Sequence, residues 1–272
     1  MLGNLPHMSD TYWLIFAFVI GLLFGSFANV VIYRLPQKIS IIKPPSTCFA
    51  CQKQLIAIDL IPVFSWIFLK SKCRFCKTKI SVRYPMVELI CGLLFTSIVY
   101  YSPTLSAIPL SIMAFIMLVV SFIDWDTQEI YDILLVMGAI SGVIWVVSGH
   151  FFPRLFPGAP IWYNALLGIV AGATPLLALD RISLLVWKKD GFGYGDMKLM
   201  AMIGVFLGWQ LTLLAFFIAV LVSFPLAIYY IIKQRLSDNN NFDGYFSFGP
   251  FLCTGAIMAF GFGELIFNVY SV

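Results

Sequence analysis

Two acidic stretches stand in a chain that is otherwise mostly apolar. "SFIDWDTQEIYD", residues 121–132, carries Asp124, Asp126, Glu129 and Asp132, and "DGFGYGDMKLM", residues 190–200, places Asp196 behind Gly191, Gly193 and Gly195. A charge at the centre of a membrane helix costs roughly 2.5 kcal/mol or more, so acids bordering apolar runs call for a partner or a task. Two carboxylates within hydrogen-bonding distance cannot both ionise comfortably and share one proton. One then takes a proton from water while the other gives one to a carbonyl oxygen, the acid–base chemistry of an aspartic peptidase. Gly193 and Gly195, without side chains, would let an extended substrate lie against the backbone and would permit the dihedrals that re-aim Asp196. The plainer alternatives are that Asp196 caps a helix and that Asp124 and Asp126 are interfacial charges.

Other chemistries are short of residues. The chain has two histidines, His7 and His150, and the topology derived below puts both on the side away from Asp124 and Asp196, which excludes a Ser–His or Cys–His nucleophile there. There is no HExxH motif and no P-loop, and the glycines near 191–195 lack the strand–helix context of a dinucleotide fingerprint.

The elements that must position the acids follow from composition. Of 272 residues, 61% are hydrophobic and 11% charged, against about a quarter charged in an ordinary soluble domain. The apolar residues are gathered into long runs, which predicts spanning helices in a lipid bilayer rather than a β-barrel. The runs are roughly 12–33, 84–101, 105–123, 131–149, 162–187, 196–208, 210–232 and 249–270, the sixth being short and joined to the seventh through Gly208 and Trp209. The fold class is therefore an all-α polytopic membrane protein of about eight transmembrane helices. The first run is too long, and lacks the basic start and small-residue exit, to be a cleaved signal peptide. Residues 34–83 hold ten of the seventeen Lys and Arg residues and one acid, Asp59. The positive-inside rule places that loop in the cytoplasm. Threading eight spans from it leaves only Arg154 on the far side and brings Asp124 and Asp196 to similar depth at the cytoplasmic face. The lysines are not interleaved with stacking aromatics, so no nucleic-acid partner is expected. The polar stretch "SDNNNFDGYF", residues 237–246, reads as a turn before the last span.

The basic loop contains "STCFACQ" and "KCRFCK", giving Cys48, Cys51, Cys73 and Cys76. Two C-x2-C knuckles 21 residues apart have the spacing of a tetrahedral structural Zn site, with each sulfur about 2.3 Å from the metal. Two disulfides or a redox pair are the alternatives, against a reducing compartment and a doubled motif. A loop with few long apolar runs needs such a staple to fold. Four protein ligands leave no open position, so the metal is not catalytic. Cys91 and Cys253 lie in spans and are expected to be packing residues. The chain thus divides into a first helix (1–33), a zinc-stapled cytoplasmic domain (34–83) and a transmembrane core (84–272).

These residues resemble the type IV prepilin leader peptidases, GxGD aspartic proteases of bacterial membranes, over nearly the whole chain. "GLLFGSFANVVIYRLP" (21–36) is similar to the family's first span. The four-cysteine region with "RYPMVELI" is similar to its cytoplasmic domain, "GYGDMKLMAMIGVFLGW" (193–209) to its GxGD helix and "FGPFL" (248–252) to its last span. The resemblance implies that Asp124 and Asp196 are the catalytic pair and that the four cysteines are metal ligands. It implies prepilin and pseudopilin substrates of type IV pilus and type II secretion systems, cut after a glycine at the bacterial inner membrane. It also implies methylation of the new N-terminus by S-adenosylmethionine, for which no binding residues can be named. Tyr131 departs from the family pattern, where proline is usual, and touches only the start of the fourth helix. Acidic Asp126, Glu129 and Asp132 could attract a basic leader. Gly21 and Gly25 have the spacing of close helix packing, and Glu88 is expected to have a partner or a polar cavity. A proton-coupled or cation transporter using the same aspartates, and a pilin-binding scaffold, are the rival classes.

Overall fold

The structure is a computed structural model and describes residues 8–102, 104–188, 193–236 and 247–270. His7 and the turn expected at 237–246 lie outside the described residues. Among the described residues the elements are helices: α1 Met8–Arg34, α2 Phe64–Phe68, α3 Arg83–Tyr101, α4 Ala107–Thr127, α5 Asp132–Phe151, α6 Trp162–Trp187, α7 Tyr194–Leu236 and α8 Gly249–Tyr270, with a 3-10 turn at Ala57–Leu60. Helices are the natural outcome for such apolar runs, because every backbone N–H and C=O is satisfied within its own segment.

Six helices, α1 and α3 to α7, are long and apolar enough to cross a membrane, and α8 adds a shorter apolar stretch over Gly249–Phe262. At 43 residues, α7 would reach about 65 Å at 1.5 Å per residue, twice the ~30 Å of a hydrocarbon core. It breaks at Gly208, whose φ of 69° and ψ of 174° interrupt the helix. A side chain at Gly208 would meet Asn164 Nδ2 at 2.9 Å. The break divides α7 into arms 194–207 and 209–236, matching the sixth and seventh predicted runs. All eight runs are thus helical. Large apolar side chains such as Val136, Ile144 and Leu166 remain about half exposed or more, as expected for faces that meet lipid. The protein is a multi-pass membrane protein.

Several boundaries shift by a few residues, and two of them bear on the acidic stretches. α4 continues to Thr127 rather than stopping near 123, and α7 begins at Tyr194 rather than 196. Hydropathy marks where a chain leaves lipid, whereas a helix continues as long as its backbone bonds are made. Thr127 Oγ1 donates to Ile123 O at 2.9 Å and Gln128 N–H to Asp124 O at 2.9 Å, so Asp124 sits inside the last turn.

The chain forms two compact units, Met1–Val119 and Val120–Val272. In the first, α1 lies directly on α3. A Cβ at Gly21 would come 2.7 Å from Gly92 Cα, and one at Gly25 2.5 Å from Glu88 Cα, which is the close approach expected of that spacing. Asn29 Nδ2 ties the same pair by donating to Tyr84 O at 3.1 Å. In the second unit, Gly168 and Gly172 of α6 meet the α7 backbone at Gly204 and Met200, and Gly255 of α8 meets Ala215. Fully buried Leu176, Leu199, Met200, Ile203 and Leu252 fill the space between these helices, and Trp145 of α5 packs on Phe206. This packing holds the first arm of α7 and the start of α8 beside the end of α4.

Candidate active site

Asp124 is 5% exposed. Its Oδ2 accepts the Gly249 N–H at 2.9 Å in a buried contact. The first N–H groups of any helix lack intrahelical partners, so Asp124, from α4, caps α8. The approach requires glycine: a Cβ at 249 would stand 2.8 Å from Asp124 Oδ2 and 3.2 Å from its Cγ. Asp196 lies in the first turn of α7, where its own N–H bonds Gly193 O at 3.1 Å. Its Oδ1 is buried and has no hydrogen-bond partner among the described residues. Both aspartates line one cavity of about 270 Å³, together with Gln128, Glu129, Ile130, Tyr131, Gly193 and Gly195.

Gly193 and Gly195 therefore reach the cavity, but neither has a positive φ. The reason for Gly195 is space, since a Cβ there would sit 2.9 Å from Ile130 Cβ. Gly193 is exposed and a Cβ there would meet nothing closer than Asp196 Oδ2 at 3.7 Å. Tyr131 is the N-cap of α5, with φ −85° and ψ 121°, so the helix starts normally without proline. Its hydroxyl donates to Glu129 Oε2 at 2.6 Å. Asp132 is ion-paired with Lys198 at 2.8 Å, which leaves Glu129 as the acid of that group on the cavity wall. Sequence reasoning missed Gly249. The signal was the "FGP" triplet: proline opens helices because it has no N–H to leave unpaired, and the glycine before it presents a bare N–H to a neighbouring carboxylate.

The four loop sulfurs, from Cys48, Cys51, Cys73 and Cys76, lie within 4.8 Å of one another. Two knuckles of the same design bring them there. Cys48 N–H bonds Lys53 O at 3.0 Å and Cys73 N–H bonds Thr78 O at 2.9 Å. Bridges Thr47–Gln54 and Lys72–Lys79 close the knuckles, and in each the residue after the second cysteine turns left-handed, Gln52 at φ 57° and Lys77 at φ 60°. A tetrahedral ion with sulfurs about 2.3 Å away spaces them by roughly 3.8 Å; the Cys48 and Cys76 sulfurs are 3.7 Å apart. Hydrogen bonds with the Thr78 hydroxyl and N–H pull the Cys76 thiol down to about 6. Cys51 is hydrogen-bonded by the Lys53 backbone, yet desolvation and the neighbouring Cys48 and Cys76 carry it up to about 11. Sulfurs this close do not all ionise without a cation between them, and the donor set fits a soft divalent metal. Cys91 and Cys253 are buried, as expected of packing residues.

Comparison with known proteins places the chain in a family. Residues 19–102 match the family model described as the bacterial peptidase A24 N-terminal domain, and residues 111–228 match the type IV leader peptidase family. A protein of Pseudomonas putida is 31% identical, the alignment covering 96% of this chain and 94% of that one. One of Neisseria gonorrhoeae is 32% identical over 94% and 92%, and one of Bacillus subtilis strain 168 is 30% identical over 93% and 96%. All three are named prepilin leader peptidase/N-methyltransferase. No solved structure matches. With relatives of this identity spanning almost its full length, the chain belongs to the type IV leader peptidase family.

Proposed function

We propose that this protein is a membrane aspartic endopeptidase that removes the basic leader of type IV prepilins and pseudopilins, with Asp124 and Asp196 as its catalytic residues. The observation that carries the reading is the meeting of these two acids, from helices far apart in the chain, on one small cavity. Water is the nucleophile. One carboxylate accepts its proton while the other protonates the scissile carbonyl oxygen, and the same pair then returns a proton to the leaving amine. The Gly249 N–H holds the Asp124 carboxylate in one orientation, so that member of the pair is oriented before substrate arrives. The partnerless Asp196 Oδ1 is the atom at which the shared proton is exchanged with water or substrate. The positive charge of loop 34–83 supports a cytoplasmic site and an inner-membrane location.

The cysteine cluster would hold Zn as a closed structural site that staples the 34–83 domain, leaving the 84–272 core to carry the cut. The relatives' names support a second reaction, N-methylation. S-adenosylmethionine, when bound, supplies an electrophilic methyl group to the freed α-amine. The transporter and scaffold alternatives gain nothing from those names.

The test is incubation of purified protein with a prepilin, with and without S-adenosylmethionine, followed by mass measurement of the product. Loss of the leader alone, then a further methyl mass with the donor, is the expected result. Asp124→Asn or Asp196→Asn protein that folds and still removes the leader would refute the catalytic assignment, and altered proton flux in those variants would favour transport.

A further inference from the structure

Within the first unit lies a second and larger cavity, of about 490 Å³. Its walls come from the C-terminal part of α1, the cysteine loop and the start of α3, and neither Asp124 nor Asp196 lines it. Its volume is that of a small-molecule site. The decisive feature is Asp59, whose side chain is 3% exposed. Arg74 directs both Nε and its terminal nitrogen to one oxygen, Oδ1, each at 2.8 Å. Oδ2 is left buried without a partner among the described residues. An arginine–carboxylate pair normally uses both oxygens in parallel. Here one is withheld, on a wall of an open cavity, where a ligand donor would satisfy it.

The surroundings narrow the ligand. Tyr33 of α1 and Trp66 of α2 supply aromatic walls. Trp66 Nε1 is committed to Ile80 O at 3.2 Å, so the ring is held and its faces are what it can offer. Glu88 of α3 is buried, and its Oε2 accepts the Val63 N–H at 2.7 Å. That contact holds Val63 at φ 63°, ψ −52°, a conformation a β-branched residue rarely adopts and keeps only when its surroundings enforce it. The pocket wall is therefore preset before anything binds. Arg34, Arg74 and Lys79 line the same cavity, so its two acids are balanced by cations. The idle oxygen, Glu88, the π faces and these cations together suit a zwitterionic ligand with a flat base, hydroxyl donors and a positive centre. The base stacks, the hydroxyls bond Asp59 Oδ2, and the cation meets ring faces and Glu88. An adenosyl sulfonium has all three.

We infer that this cavity is the binding site of the methyl donor, S-adenosylmethionine, with Asp59 receiving the ribose hydroxyls and Trp66 and Tyr33 holding the adenine and sulfonium. The inference rests on the methyltransferase reading above and assigns it a place in the chain.

The experiment is equilibrium binding of S-adenosylmethionine, and of the unreactive S-adenosylhomocysteine, to the purified zinc-loaded full-length protein by calorimetry. Tryptophan fluorescence, compared between the wild type and Trp66→Phe, reports on the same titration. Zinc content and unfolding midpoint report the fold of each variant. The wild type is expected to bind the donor with a change in emission that Trp66→Phe lacks. Asp59→Asn, which removes the charge at nearly the same shape, should weaken binding tenfold or more. Tyr33→Leu, at a half-exposed site that the fold tolerates, should weaken it independently. If either folded variant binds like the wild type, the site is wrong while N-methylation stands. If the wild type neither binds the donor nor methylates a cleaved pilin, the methyltransferase reading falls and this inference with it.

Discussion

Gly249→Ala probes the active-site geometry without touching an ionisable group. The new Cβ would stand 2.8 Å from Asp124 Oδ2, 3.2 Å from Cγ and 3.4 Å from Cβ. No flexible tip can absorb this, because the aspartate side chain is short and its helix is packed behind it. Either the carboxylate rotates away or the start of α8 retreats, and each breaks the 2.9 Å N–H bond. A hydrogen bond to a charged group contributes about 1.5–3 kcal/mol, so if that orientation serves the transition state, kcat should fall roughly 10- to 150-fold. KM should change less, because the substrate gains or loses no direct contact. Gly261→Ala is the control in the same helix. A Cβ there meets nothing within 4 Å, and alanine is the better helix former by up to about 1 kcal/mol. The assay is steady-state leader cleavage in detergent, with helical content and unfolding midpoint measured for both variants. A folded Gly249→Ala protein with wild-type kcat would refute the claim that this N–H orients Asp124.

Asp124→Asn keeps an oxygen that can accept the Gly249 N–H and should fold, yet cleavage should drop by about 10²–10⁴ or more. Asp196→Asn should do the same, and the double variant should be scarcely worse, because the pair acts as a unit. Cys48→Ser or Cys73→Ser should abolish the one-ion zinc content read by mass spectrometry and open residues 34–83 to limited proteolysis, since metal affinity is there folding free energy. Gly25→Ala drives a methyl into the Glu88 backbone and should destabilise the first unit by about 1–3 kcal/mol, read as a lowered midpoint in thermal unfolding. Asp132→Ala should cost less than about 1 kcal/mol by the same measure, because its ion pair with Lys198 is solvent-exposed.

Much of the architecture was legible because a bilayer removes choices. Long apolar runs must be helices, and basic residues bias the loops that flank them. Asp124 and Asp196 were visible as isolated acids in such runs. The paired C-x2-C knuckles were visible because metal geometry demands short, repeated ligand spacing, and Gly208 because it falls at the junction of two adjoining apolar runs. Asp132 was less legible. As a charge near the site it looked available to a substrate, but its interaction with Lys198 is made across two helices. Gly195 was legible as a position without room for a side chain, but not the neighbour it makes room for, which is Ile130.

The chain alone determined which segments become helices, which thiols can gather around one ion and which two carboxylates could form a pair, because those follow from hydropathy, ligand spacing and the rarity of charge in lipid. Tertiary structure decided that the backbone of Gly249 meets Asp124, that Glu88 fastens Val63, and that Arg74 claims only one oxygen of Asp59. Each of these is a contact between segments distant in sequence, where helix packing sets the distances and no local pattern records which atoms will face one another.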